Sequence, residues 1–294
     1  MSEKIEVKYS ISRFIVSKIK NIFPQKGTEY FALVGFILIL LIILMAIFAP
    51  FIAPYNPIKK VGDILQEPGS KFLLGTDGLG RDVLSRIIFG ARTAILVTLL
   101  AVSISLSFGV LLGLLSGYTG GKFDTVFSLV MDAMYSFPGL ILAIVLAAML
   151  GPGILNTAVA IAVIYTPTYF RMVRGLVLSL KESLFVEAAR AIGANDRTIV
   201  FKYIFPNVIS SIPIVLSLNA ADAVLTLAAL SFLGLGLPAP TPDWGFDLRA
   251  GHAYLASKIW WPSTFPGLMI VILTLGFSLL GEGLNEILNP ELRR

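Results

Sequence analysis

Long stretches without a charged residue constrain this chain more than any other feature of its sequence. Residues 133–170 hold no charge, and over all 294 residues hydrophobic side chains make up 56% and charged ones 14%. A typical soluble domain carries about 25% charged residues. A soluble fold cannot bury that much apolar surface behind so few charges, and the apolar runs are continuous rather than alternating. We therefore predict an all-α polytopic membrane protein.

Six apolar runs are long enough to be spanning helices, each of which needs about 20 predominantly apolar residues. The tight-turn sequence Gly151-Pro152-Gly153 divides the longest stretch into two spans. The polar segment before the first run is too long for a signal peptide, so we expect an uncleaved anchor. The predicted spans are residues 31–49, 93–117, 132–150, 154–172, 208–232 and 263–287.

The distribution of Lys and Arg predicts the orientation of these spans, because cytoplasmic loops are enriched in both. The side that holds both termini carries most of the 23 cationic residues, so we expect both termini in the cytoplasm. The map is then a cytoplasmic segment 1–30, a first helix 31–49, an outer loop 50–91, a five-helix core 92–288 and a cytoplasmic tail 289–294. The outer loop pulls against this orientation, because it also holds Lys59, Lys60, Lys71, Arg81, Arg86 and Arg92.

The connection between spans four and five is amphipathic rather than merely polar. Its apolar positions recur at helical spacing, Gly193 is a natural helix stop, and a second amphipathic stretch, 199–205, ends at Pro206. The predicted helical face consists of Leu184, Ala188, Ala191 and Ile192. Two short surface helices of this kind serve either as a membrane anchor or as a docking element for a cytoplasmic partner.

The same loop, residues 181–206, resembles the EAA loop of ABC-transporter permeases. Glu187-Ala188-Ala189, Gly193 and Phe205-Pro206 carry the resemblance, while Tyr203 and Phe205 stand where the pattern has Ile and Leu. In that family the loop forms a coupling helix that sits in a groove of the ATPase subunit. The resemblance thus implies that the ATPase-coupling residues are Glu187, Ala188, Ala189, Gly193, Phe205 and Pro206.

A second stretch, 74–86, is similar to the segment before the second span in the C-type permease of dipeptide, oligopeptide and nickel importers. It contains Gly75-Thr76-Asp77 and Gly80-Arg81-Asp82, and the stretches 222–236 and 242–245 are similarly placed. The resemblance covers 31–290. It implies a six-helix type I ABC importer permease fold with cytoplasmic N- and C-termini, in the cell membrane of a prokaryote.

The implied function is half of a translocation pathway for dipeptides or oligopeptides, with nickel or another small solute as the alternative cargo. The implied partners are a homologous second permease in a heterodimer, two cytoplasmic ATP-binding subunits, an extracytoplasmic solute-binding protein and the lipid membrane. ATP hydrolysis would belong to those partners. A secondary transporter is the rival function, but it needs ionisable groups within several spans, and only Asp222 lies well inside one.

Several other functions are excluded by composition. The chain has no cysteine and one histidine, His252, which excludes thiolate and multi-histidine metal sites, so we expect no metal, no cofactor and no enzymatic activity. Ser116 and Phe123 occupy positions where a phosphate-binding loop around Gly121-Lys122 needs Gly and Ser or Thr. The net charge of +5 includes no basic block that would grip nucleic acid.

Asp222 is the candidate pathway residue, together with Asn219. A carboxylate at the centre of a span costs roughly 2.5–3.5 kcal/mol, so it normally faces a bundle interior or a water path. It either lines a cavity or serves as a polar partner for Asn219 or a neighbouring helix. Elsewhere, the spacing of Gly109, Gly113 and Gly117 favours close helix packing within this chain over packing against another subunit. Trp244, Trp260 and Trp261 are predicted to form an outer interfacial belt.

Overall fold

The computed structural model describes residues 29–288, and within that range the chain is helical, with one isolated bridge between Thr76 and Asp82 and no strand. Ile199–Ile204 form π-helical turns, and Leu255–Ser257 form a 3-10 turn. The all-α prediction is confirmed. The helices are α1 (Glu29–Ile52), α2 (Val83–Thr119), α3 (Gly121–Ser136), α4 (Gly139–Leu150), α5 (Ile154–Leu180), α6 (Leu184–Ala191), α7 (Asp196–Thr198), α8 (Phe205–Ile209), α9 (Ile212–Phe232), α10 (Trp244–His252) and α11 (Trp261–Leu288).

Four described helices, α1, α2, α9 and α11, are long and apolar enough to cross a membrane. The pair α3 and α4 would make a fifth crossing as one broken span, because the two helices meet at an angle of 97°. The prediction of one uninterrupted span over 132–150 is therefore wrong. Pro138 lies at the break and directly precedes the first residue of α4. It has no backbone N–H to continue the series of helical hydrogen bonds. The predicted tail and nearly all of the N-terminal segment lie outside the described residues.

Helices α2 and α5 make the most extensive contact of the fold, and the glycine row of α2 explains how. A Cβ atom on Gly113 would lie 2.7 Å from the carbonyl oxygen of Phe170, and one on Gly117 would lie 2.9 Å from the Cβ of Val177. The predicted packing of these glycines within the chain is confirmed. The N-terminal helix is held similarly, because Gly35 of α1 faces the backbone of α11 without room for a side chain.

The outer loop is shorter than its predicted range of 50–91. Helix α1 continues to Ile52 and α2 begins at Val83. Asp82 caps the start of α2, since its carboxylate accepts hydrogen bonds from the Ser85 N–H at 2.8 Å and the Ser85 hydroxyl at 2.6 Å. Arg86 and Arg92, which the prediction assigned to the outer loop, therefore lie inside α2, and Arg86 is buried there.

Ion pairs fix the broken α3–α4 unit against α5. Arg174 donates to Asp124 through two bonds of 2.5 and 2.7 Å, and Asp124 also accepts from Ser116 of α2. Arg171 pairs with Asp132 at 2.7 Å, in an exposed position that contributes little to stability. Both pairs hold α3 beside α5, and a space lies between α3–α4, α5 and α9.

Candidate functional site

Helix α6 has one buried face and one exposed face. Val186 is fully buried and Ala189 is 3% exposed, and Val186 packs in a small apolar cluster with Val177 of α5 and Ile204. Leu184 and Ile192, by contrast, are 83% and 81% exposed. The apolar face predicted for this helix thus points away from its own bundle. Glu187 and Ala188 are exposed with it, whereas Ala189 belongs to the buried face.

Gly193 ends α6 in a left-handed conformation, with a φ of +85°. The N–H of Gly193 donates to Arg190 O at 2.9 Å, and the N–H of Ala194 donates to Ala189 O at 3.0 Å, the pair of bonds typical of a Schellman helix end. The prediction that Gly193 ends this helix is confirmed. A side chain there would meet nothing within 4 Å, so only the backbone conformation demands glycine.

The second half of the loop departs from its predicted form. Pro206 does not end a helix but lies in the first turn of α8, where its missing N–H breaks no intrahelical bond. The π-helical turns before it bury Ile199 and Ile204 completely and leave Phe201 61% exposed. Phe205 is half-buried against the same apolar cluster as Val186, so the two halves of the loop share one small core.

Asn219 and Asp222 lie together on the wall of a cavity of about 350 Å³, bounded by α5, α9 and the α3–α4 bend. They stand one turn apart on α9, and Thr226, one turn further, shares a 2.9 Å hydrogen bond with the hydroxyl of Tyr165. This volume is within the usual range of small-ligand sites. The complete lining is Met134, Tyr135, Phe137, Gly139, Leu140, Leu142, Ile164, Tyr165, Thr168, Asn219, Asp222 and Thr226.

The polar groups of this cavity are incompletely satisfied within the described part of the chain. Asn219 is 5% exposed, yet its Nδ2 group makes no hydrogen bond of normal geometry, and neither does the neighbouring hydroxyl of Tyr169. Asp222 is exposed in the cavity, and no ion pair among residues 29–288 includes it. Of the two alternatives for Asp222, the geometry is that of a cavity-lining residue.

A cluster of buried charges, here called the charged cap, joins the loop after α1 to α2 and α10. Arg86 is 2% exposed and forms a forked interaction with the Asp247 carboxylate, with bonds of 2.6 to 2.9 Å. Arg81 pairs with Asp77 at 2.6 Å. Burial raises the pKa of Asp247, and the positive charge of Arg86 opposes that rise. Two cations counted as surface charges of the outer loop are therefore neutralised inside the protein.

Two of the three tryptophans belong to this region rather than to an interfacial belt. Trp244 and Trp261 are 3% and 4% exposed, and their indole N–H groups donate to the carbonyls of Ile87 and Thr76, both at 3.0 Å. Only Trp260, 48% exposed, has the exposure that the predicted belt requires. The sequence held a signal for the buried role in the Asp243-Trp244 pair, because Asp243 caps α10 through the N–H of Gly245.

Comparison with protein families yields two matches. A family described as "Binding-protein-dependent transport system inner membrane component" matches residues 109–294. A second, described as "N-terminal TM domain of oligopeptide transport permease C", matches residues 30–68. Together they include nearly all of α1, the C-terminal part of α2 from residue 109 onward, and every later helix.

Individual relatives are similar over nearly their whole length. The di/tripeptide transport system permease protein DppC of Pseudomonas aeruginosa is 41% identical over 94% of this chain and 93% of that protein. The dipeptide transport system permease protein DppC of Alkalihalophilus pseudofirmus is 40% identical over 95% and 91%. The glutathione transport system permease protein GsiD of Pectobacterium atrosepticum is 38% identical over 90% and 88%.

Proposed function

The chain belongs to the family of binding-protein-dependent transport system inner membrane components, and from that premise we propose that it is a permease subunit of an ATP-driven peptide importer. The cargo follows from the relatives, whose names specify dipeptides, tripeptides and glutathione. All of these are short peptides. The chain provides one half of the pathway, and a homologous permease provides the other.

The two faces of α6 carry the coupling part of this proposal. Leu184 of α6 and Ile192, which caps its C-terminal end, are exposed beside Glu187 and present an apolar surface with a charged rim. Fully buried apolar centres with polar rims are the usual anatomy of protein interfaces. We therefore assign this surface, hereafter the α6 surface, to docking on one of two ATP-binding subunits. Ala189 and Phe205 support it from behind, through the apolar cluster.

The membrane map proposed here has six crossings. The α3–α4 pair serves as one broken span and α5 as another, with α6 to α8 on the cytoplasmic side and α10 outside. Pairing of Arg81 and Arg86 within the charged cap removes part of the conflict with the positive-inside rule. The expected setting is the inner membrane of a prokaryote, with an extracytoplasmic solute-binding protein delivering the cargo from outside.

Cross-linking tests the docking assignment. Single cysteines at Leu184 and at Lys122 should be compared in the complete complex, since both side chains belong to exposed positions on the proposed cytoplasmic side. We expect a short bifunctional reagent to join the Leu184→Cys variant to an ATP-binding subunit and to leave the Lys122→Cys variant unjoined. Equal cross-linking of both variants, or none at Leu184→Cys, would contradict the assignment.

Thiol labelling tests the membrane map, because the native chain has no cysteine. Arg197 and Ser257 are exposed and lie on opposite sides of the six-span map. An impermeant thiol reagent should reach Arg197→Cys only from the cytoplasmic side and Ser257→Cys only from outside. Labelling of Arg197→Cys from outside would overturn the proposed orientation.

A further inference from the structure

Asp222 differs from the other buried or cavity-lining carboxylates that the structure describes. Asp77, Asp124 and Asp247 each pair with an arginine. Asp82 and Asp243 accept hydrogen bonds from Ser85 and Ser231. The Asp222 carboxylate lines its cavity near the middle of α9, with no ion pair and no hydrogen bond among residues 29–288. An ionised carboxylate in a low-dielectric span is expensive unless a cation comes to it. The cavity therefore favours a ligand that brings a positive charge.

Asn219 adds a second requirement. It lies three residues before Asp222 on the same face of α9, and only 5% of its surface is exposed. Its Nδ2 group is buried beside the Tyr169 hydroxyl and makes no hydrogen bond of normal geometry in the described chain. A buried donor of this kind is normally satisfied. The wall thus holds a negative acceptor and, one helical turn away, a buried donor without a well-formed hydrogen bond, next to the hydroxyl groups of Tyr165 and Thr226.

We propose that Asp222 and Asn219 together bind the amino-terminal end of the cargo peptide, an inference that rests on the translocation pathway proposed above. The carboxylate of Asp222 accepts hydrogen bonds from the peptide ammonium group. On binding, the Asn219 side chain leaves the Tyr169 hydroxyl, and its Nδ2 group donates to the adjacent peptide carbonyl. An ammonium and a carbonyl separated by one carbon match an acceptor and a donor on one helix face. The interaction offsets the charge of the peptide while it crosses, and release remains possible because the cavity is open.

The same chemistry distinguishes this role from a permanent counter-ion in the second permease. A fixed cation of the second permease would pair with Asp222 whether or not cargo is present. Replacing Asp222 by a neutral residue would then affect assembly of the two permeases. A cargo site responds instead to the charge of the peptide. The experiment therefore varies the peptide as well as the protein.

The test uses the complete nucleotide-free complex without its solute-binding protein, so that peptide selection by that protein plays no part. Thr168 lines the cavity, and a Thr168→Cys substitution there gives the only cysteine of this subunit. The rate at which this cysteine reacts with a neutral maleimide is measured from the label in the gel band of this subunit. The probes are dialanine and N-acetyl-dialanine, which differ in the charge and size of the amino end.

Dialanine is expected to slow the labelling of Thr168→Cys. N-acetyl-dialanine should need a concentration about tenfold higher or more for the same protection, because it lacks the charged ammonium group that hydrogen-bonds to Asp222. Adding Asp222→Asn should abolish the difference between the two probes, whereas Asp222→Glu should keep it. Asn219→Ala should weaken protection by both peptides. The two-peptide comparison on Thr168→Cys alone decides the proposal if Asp222→Asn fails to assemble.

Two failures have different meanings. If the cysteine at position 168 never reacts, the cavity is not on an aqueous pathway, and both the pathway and the ammonium site are overturned. If it reacts and both peptides protect it equally, or neither does, the ammonium site is overturned while the pathway stands. Loss of assembly in both Asp222→Asn and Asp222→Glu, with equal protection by the two peptides, would identify Asp222 as a contact of the second permease.

Discussion

The charged cap and the α6 surface solve opposite problems. In the cap, Arg86 and Asp247 are buried together and satisfy one another, and the Arg86 guanidinium also donates to the Pro57 carbonyl at 3.0 Å. At the α6 surface, Leu184 and Ile192 are apolar and exposed, and no residue among 29–288 covers them. The cap therefore completes itself within one chain. The α6 surface has the composition of an interface whose other half is a different protein.

This difference predicts two kinds of mutant. A substitution in the cap should reduce the amount of folded protein, because it strands a buried charge. A substitution at the α6 surface should leave the amount of folded protein nearly unchanged and reduce transport. The three substitutions below break or sharpen that contrast, in order of decreasing effect on stability.

The largest effect is expected for Arg86→Met. Removing one partner of a buried ion pair costs about 3–5 kcal/mol, because the other charge stays buried without compensation. The folded fraction should fall sharply when it is measured by size-exclusion chromatography of the detergent-extracted protein and by its Tm. Arg92→Met is the matched control, since Arg92 lies on the same helix but is exposed.

The double variant Arg86→Met with Asp247→Leu sharpens this test. Replacing both charges of a buried pair by apolar groups is often nearly neutral, so the double variant should recover much of the stability lost by Arg86→Met. If Arg86→Met is as stable as Arg92→Met, the buried pair is not what holds the cap to α2 and α10.

A smaller, local effect is expected for Gly193→Val. A β-branched residue at a φ of +85° costs about 1–2 kcal/mol, although no atom within 4 Å would be displaced. The strain should tilt α6 or unwind its last turn. We expect normal insertion and pairing with the second permease, together with loss of the ATP-binding subunit or of uptake coupled to ATP hydrolysis.

Gly175→Val is the matched control for this variant. Gly175 lies in α5 with ordinary helical backbone, is exposed, and also has nothing within 4 Å of its Cβ position. Co-purification of the complex and peptide uptake into proteoliposomes should be measured for both variants. Normal ATPase recovery and normal uptake by Gly193→Val would mean that the loop only anchors the bundle to the membrane.

Short-range signals explain what the sequence predicted well. The helix at 184–191, its glycine end at Gly193 and the turn at 151–153 depend on residues within a few positions of one another. For Asp222 the sequence left two alternatives, a cavity-lining residue or a polar partner of Asn219 or a neighbouring helix, and the choice between them depends on how α9 packs against the other helices.

Contacts between distant residues explain what was missed. Arg86 and Asp247 are separated by 161 positions, and no local pattern distinguishes such a buried arginine from a loop cation. Trp244 and Trp261 looked like interfacial residues for the same reason, since their hydrogen bonds go to Ile87 and Thr76 far along the chain. The 97° bend at Pro138 was missed for a different reason. Proline is tolerated in membrane helices, so its presence alone does not predict a break.

The smallest effect on stability, and the sharpest contrast with the cap, is expected for Leu184→Glu. Leu184 is 83% exposed, and surface substitutions of this kind usually change stability by about 0.5 kcal/mol or less. The Tm of the extracted subunit should therefore match that of the wild type.

A charge on the docking surface should nevertheless weaken binding of the ATP-binding subunit, because an unpaired charge is costly to desolvate. Thr119→Glu, at an exposed position at the end of α2 on the proposed cytoplasmic side, is the control for added charge. Co-purified ATPase should fall for Leu184→Glu and stay unchanged for Thr119→Glu. A loss of Tm in Leu184→Glu without loss of the ATPase would reverse the contrast, because the α6 surface would then be part of the fold and not an interface.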